Sequence, residues 1–141
     1  MNVVDANVLL YAVNESAEHH EQAREWLDGA LNGRSTVGFS WLSLLAFLRL
    51  STKVGLFPAP LPVQAALDQV RAWLAQPTSV VLEPTPRHLD VLVGLLNPLG
   101  AGGNLTSDAH LAALTIEHRG EVVTYDSDFG RFPGVVWRTP G

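Results

Sequence analysis

The chain has 141 residues, 47% of them hydrophobic and 16% charged, with a formal net charge of -5 and no cysteine. That length accommodates one domain with a buried core, and the composition excludes a disordered chain, a disulfide scaffold and a thiolate zinc site. The acidic balance counts only weakly against a nucleic-acid substrate, because acids gathered around a cation in one cleft reverse the local field.

Residues 2–5 read as a short buried strand from the β-branched pair Val3-Val4, with Asp5 at its carboxyl end. Asp5 and Asn7 interrupt the first apolar run and no basic segment precedes it, so neither a secretory signal nor a membrane association is expected. Together with the absence of cysteine this is compatible with a cytoplasmic protein. Ser16 is positioned to cap a helix running to about Leu31, whose apolar stripe is Ala23, Trp26, Leu27, Ala30 and Leu31 and which Asn32-Gly33 stops. Thr36 to Phe39 is a second strand.

Ser40 opens the segment Trp41 to Leu50, apolar on nearly all sides and too short to span a bilayer; it reads as a buried helix or a partner face. Phe57 to Pro62 forms a stiff extended connection, and Pro62 suits the first turn of a helix carrying the stripe Val63, Leu67, Val70 and Leu74. Ser79 to Leu82 is a third strand. A helix from about Arg87 directs Leu89, Leu92, Val93 and Leu96 to the core, and Asn97 to Gly103 is a loop. Asn104 caps a helix that ends at Gly120, Glu121 to Thr124 is a fourth strand and Val135 to Trp137 a short fifth. Strands alternating with helices predict an α/β fold: one domain over 1–141, with a mainly parallel sheet of four to five short strands flanked by helices.

Parallel sheets present ligands beyond the carboxyl ends of their strands. Asp5 ends the first strand, Asp126 lies just past the fourth, and Asp108 falls in the first turn of a helix. These three are the candidate catalytic and metal-binding residues. Carboxylates on one edge are costly unless a cation sits among them, and Mg²⁺ takes oxygen ligands and activates water for attack on a phosphodiester. Singly, each acid also has a structural reading: Asp108 as a helix-start charge, Asp5 as a cap, Asp126 and above all Asp128 as an Asx turn. Only their combination favours a site. His19-His20 reads as a solvated pair, His88 as a helix start without special role, and His110 with His118 lacks the acid of a metalloprotease helix. The tryptophans at 26, 73 and 137 read as core, and Trp41 and Phe47 as core or a partner face.

On Val4-Asp5-Ala6-Asn7-Val8-Leu9-Leu10, Trp41 to Arg49, Asn104 to Leu111 and Thr124 to Phe129, the chain resembles PIN-domain proteins and, more narrowly, the VapC toxin ribonucleases of bacterial type II toxin–antitoxin pairs. The resemblance spans essentially the full length. It implies a metal-dependent endoribonuclease, usually a homodimer, acting on RNA and held inactive by a cognate VapB-like antitoxin. It also implies Mg²⁺, or Mn²⁺, held by Asp5 and Asp108 with Asp126 as a further acidic member. Asn7 would orient Asp5 or its water, Thr124 would order this corner, and Asp128 would assist from behind. The chain departs from the family where many members carry a glutamate, at Ala46. The arginines, Arg49 among them, are candidate phosphate contacts with a solvated role as the simpler reading.

Two rival readings stand beside this one. A haloacid-dehalogenase-like phosphatase also uses an aspartate after its first strand, but it wants an acid or threonine where Asn7 stands. An interaction domain of the same fold with weak catalysis would suit the missing glutamate.

Overall fold

The computed structural model describes residues 1–141. Strands β1 (Asn2–Val4), β2 (Val37–Phe39), β3 (Ser79–Val81), β4 (Glu121–Val123) and β5 (Trp137–Arg138) form one sheet in the order β3-β2-β1-β4-β5, and every pairing is parallel. Six helices connect them: α1 (Ala6–Val13), α2 (His20–Leu31), α3 (Trp41–Thr52), α4 (Val63–Leu74), α5 (His88–Leu96) and α6 (Leu105–Glu117). Short 3₁₀ turns cover Asn97–Leu99 and Ser127–Arg131.

The pleat sends successive side chains to opposite faces, and the two central strands use it alike. Val4 and Val123 join Val8, Leu9, Phe39, Phe47 and Trp73 beneath α1 to α4, while Val3 and Val122 join Leu95, Leu111, Phe129 and Phe132 beneath α5 and α6. Gly38 of β2 leaves no room for a side chain, since a Cβ there would lie 2.9 Å from Leu82 Cδ1 and 3.3 Å from Met1 Sδ. No helix is long and apolar enough to cross a membrane.

The expected order of strands and the later helices is present, with several corrections. Residues 6–13 form a helix that the sequence reading lacked, because Asp5 stops the strand and its Oδ1 accepts from the Ala6 amide at 2.7 Å, starting α1 at once. Ser16 therefore caps nothing, and α2 begins at His20. Asn104 precedes α6 without a capping hydrogen bond from its side chain.

The apolar faces also differ. α4 buries Ala66, Val70 and Trp73, leaving Val63 and Leu67 exposed. Trp73 decides this rotation, because its ring meets Phe47 edge-on at 4.8 Å and stacks beside Phe39 at 6.4 Å. On α5 Leu92 and Leu96 pack inward around a buried Leu95, whereas Leu89 and Val93 face solvent. α3 is not buried all round: Leu44 and Phe47 are fully inside, so Phe47 is core, while Trp41, Leu42 and Leu45 form an exposed apolar ridge. Trp73 is core, and Trp26 and Trp137 are partly buried at its margins.

Candidate functional site

Pairing of Val4 with Val123 brings the ends of β1 and β4 level, so Asp5 and Thr124 leave the sheet side by side. Thr124 is fully buried. Its hydroxyl donates to Asp5 Oδ2 at 2.8 Å and accepts from Asn7 Nδ2 at 3.1 Å and from the Asp126 amide at 3.0 Å. Asn7 Oδ1 accepts in turn from the Tyr125 amide at 3.1 Å. One hydroxyl and one carboxamide thus lock β1, α1 and the segment after β4 into a single corner. Thr124→Val keeps the side-chain shape but removes these bonds, leaving buried partners unpaired. The expected cost is about 2 kcal/mol of stability by urea unfolding, with Thr124→Ser losing much less.

The acids meet in front of this corner. Carboxylate oxygens of Asp108, on the first turn of α6, and of Asp126 and Asp128 lie within 4.8 Å of one another. Asp5 and Asp108 line the same open cleft of about 510 Å³, together with Leu42, Leu45, Ala46 and Arg49 of α3. The carboxyl of Asp108 is pushed up to about 6, first by burial and then by the charges of Asp5, Asp126 and Asp128. Burial raises Asp5 as well, against hydrogen bonds from Thr124 and the Ala6 amide, with Asp126 adding repulsion. Asp108 thus faces three like charges, with Arg131 3.9 Å from one of them, and an all-oxygen donor set of this kind suits a hard divalent ion.

The structure thus brings together the three acids singled out in the sequence. Asp128 differs from its reading there. The Asx turn belongs to Asp126, whose Oδ1 accepts from the Asp128 amide at 2.9 Å, and this frees the Asp128 carboxylate to join the cluster. Asp5 is a helix cap and a cluster member at once. α3 contributes no acidic side chain to the cleft, whose only carboxylates are Asp5 and Asp108; Asp126 and Asp128 approach Asp108 from the segment after β4.

Two groupings escaped the sequence reading. His88 is not a bare helix start: its Nδ1 bonds the carboxylate of Glu117, and its Nε2 bonds His110 Nδ1 at 2.9 Å. Glu117, whose side chain has no solvent exposure, also accepts from the Thr85 amide at 2.9 Å and from the Thr85 hydroxyl. A glutamate on the apolar face of α6 was the available signal. Likewise His19 and His20 are not simply solvated, since His19 stacks on Tyr125 at 4.5 Å and His20 Nδ1 bonds the Tyr11 carbonyl at 2.8 Å.

Residues 3–135 match the PIN domain family model. The chain belongs to the PIN-domain family. Ribonuclease VapC37 of Mycobacterium tuberculosis is 61% identical over 140 residues, covering 99% of this chain and 97% of that protein. Ribonuclease VapC33 of the same species is 41% identical over 140 residues, covering 99% and 98%. These matches place the chain in the VapC group of PIN domains. Among solved structures, M. tuberculosis VapC20, a sarcin–ricin loop cleaving toxin, superposes with a TM-score of 0.71 at 17% identity, covering 99% of this chain and 100% of that one. VapBC2 from Rickettsia felis, solved bound to a DNA fragment from its promoter, gives 0.69 at 18% identity, covering 98% and 97%. PIN-domain membership replaces the dehalogenase-like phosphatase reading, and the parallel sheet is that of the neighbouring VapC structures.

Proposed function

We propose that this PIN domain is a divalent-metal-dependent endoribonuclease, the toxin of a VapBC-type pair, with Asp5, Asp108, Asp126 and Asp128 as its acidic centre. The observation that carries the metal-dependent reading is the meeting at Asp108 of two groupings: its carboxylate lies within 4.8 Å of those of Asp126 and Asp128, and it shares a cleft with Asp5. Asp5 and Asp108 would hold the ion, Mg²⁺ or Mn²⁺, with Asp126 and Asp128 completing its surroundings. A bound divalent ion supplies polarisation of a phosphoryl oxygen and a more acidic water for in-line attack.

The chain's own residues supply orientation. Thr124 and Asn7 hold the Asp5 carboxylate from behind through hydrogen bonds of 2.8 and 3.4 Å. The amide of Asp128 fixes one oxygen of Asp126, at 2.9 Å. Leu42 and Leu45 of α3 form an apolar wall along the same cleft.

The expected partners are an RNA substrate, a VapB-like antitoxin and a second copy of the chain. Support comes from the relatives' names as ribonucleases, from VapBC complexes among the structural neighbours, and from the exposed apolar ridge of α3. The test is cleavage of a structured RNA by purified protein with Mg²⁺ or Mn²⁺, repeated after chelation. Loss of cleavage in EDTA and its return with either ion is expected; activity that survives chelation would remove the metal from the proposal.

A further inference from the structure

The cleft that holds Asp5 and Asp108 contains one cation, Arg49, near the end of α3. The chain has nine basic residues. Three are paired at the surface: Arg24 with Glu21 at 3.0 Å, Arg138 with Glu121 at 2.6 Å, and Arg131 with Asp128 at 3.9 Å. Arg49 forms no ion pair and no hydrogen bond, although it lines the same cleft as two carboxylates that burial and repulsion disfavour. It is therefore not the counter-ion of the acidic centre. An exposed guanidinium, next to the apolar wall of Leu42 and Leu45 and across from a set of cation-seeking oxygens, is placed for an anion that arrives from outside.

We infer that Arg49 is a substrate-binding residue whose guanidinium takes a non-bridging oxygen of an RNA phosphate next to the scissile one. The inference rests on the ribonuclease reading and assigns a side chain to backbone recognition within it. Ala46 contributes to the arrangement: a carboxylate there, one turn before Arg49 on α3, would sit at the spacing that pairs with an arginine and would hold it in place. With alanine at that position the guanidinium stays free to engage phosphate. A basic residue in the last turn of α3 also complements the helix dipole, but that role would register in thermal stability and not in substrate affinity.

The test uses full-length protein, a short single-stranded RNA and Mn²⁺, comparing wild type with Arg49→Gln, Arg49→Lys and Lys53→Gln. Arg49→Gln is expected to raise KM about tenfold with little change in kcat, and to make the fall of log kcat/KM with log salt shallower by about 0.7. Arg49→Lys should keep the salt slope and recover most of the affinity, because it keeps the charge and loses only the fork. Lys53→Gln removes an equal charge outside the cleft and should leave KM unchanged. Cleavage by the wild type with an unaltered KM in Arg49→Gln would overturn the inference and leave the ribonuclease reading intact. An equal rise in Lys53→Gln would overturn it too, as a net-charge effect. An equal rise in KM in both Arg49 variants with no change of salt slope would overturn it as a packing effect. Absence of RNA cleavage by the wild type itself would take down both the inference and the reading beneath it.

Discussion

Asp108→Asn is expected to lower metal-dependent RNA cleavage by about 10³-fold while making the metal-free protein more stable at neutral pH. The two effects have opposite signs because one carboxylate is asked to serve an ion that is absent from the bare fold. Its carboxyl is raised from an ordinary value of 3.8 to about 6, first by burial and then by Asp5, Asp126 and Asp128. Between those two values the folded protein binds more protons than the unfolded chain, so stability falls as pH rises through that window. The full loss is present above about pH 6. Asp108 is only partly buried, so after allowance for solvent screening the effect is about 1 kcal/mol.

Thermal melts of both proteins across this range, with and without Mg²⁺, measure the effect directly. The wild type should lose stability with rising pH in chelator and regain it with the ion, and Asp108→Asn should show a flatter profile and a smaller response to metal. Wild-type cleavage rates in Asp108→Asn would remove Asp108 from the centre. An unchanged pH profile of stability would mean that neither burial nor the neighbouring acids raise the group.

The second large effect is expected away from the cleft. Glu117→Ala should cost about 3–5 kcal/mol at neutral pH, because it strips a buried carboxylate from Thr85 and His88 and leaves their donors unpaired. Glu117→Gln should cost less, since it keeps an acceptor oxygen for the Thr85 amide. Burial by itself would raise the Glu117 carboxyl; the hydrogen bonds from Thr85 and His88 outweigh it and hold the group below its ordinary value of 4.5. A depressed carboxyl contributes stability that is present above the unfolded-state value and is lost as pH falls through the folded-state value. Urea unfolding from neutral to acid pH should therefore show an acid-side decline in the wild type that is weaker in Glu117→Gln. Equal stabilities for wild type and Glu117→Ala would show that the α5–α6 contact depends on the apolar residues around Leu95 and Leu111 alone.

Much of the architecture was legible because its signals are local. Val3-Val4, Val122-Val123 and the glycines and prolines between the apolar runs mark strands and breaks within a few residues, and their alternation with helical stripes implies parallel pairing. α1 was hidden because Val3 to Leu10 is one apolar run in which a single capping carboxylate turns strand into helix. The faces of α4 and α5 were not legible for a different reason. Each carries more apolar residues than one face can bury, so several rotations have similar hydrophobic content. The choice falls to shape, as where Trp73 fits between Phe39 and Phe47.

By itself the sequence determined the family and the strand-end positions of Asp5 and Asp126, since both follow from short stretches whose character does not depend on distant partners. Only the tertiary structure decided which oxygens face one another. The β1–β4 register sets Asp5 against a threonine 119 positions away, and the Asx turn of Asp126 releases Asp128 toward Asp108. The pairing of Glu117 with His88 and the solitude of Arg49 are of the same kind. Hydrogen bonds and Coulomb forces act over a few ångströms of space, and separation along the chain carries no record of that distance until the backbone has closed.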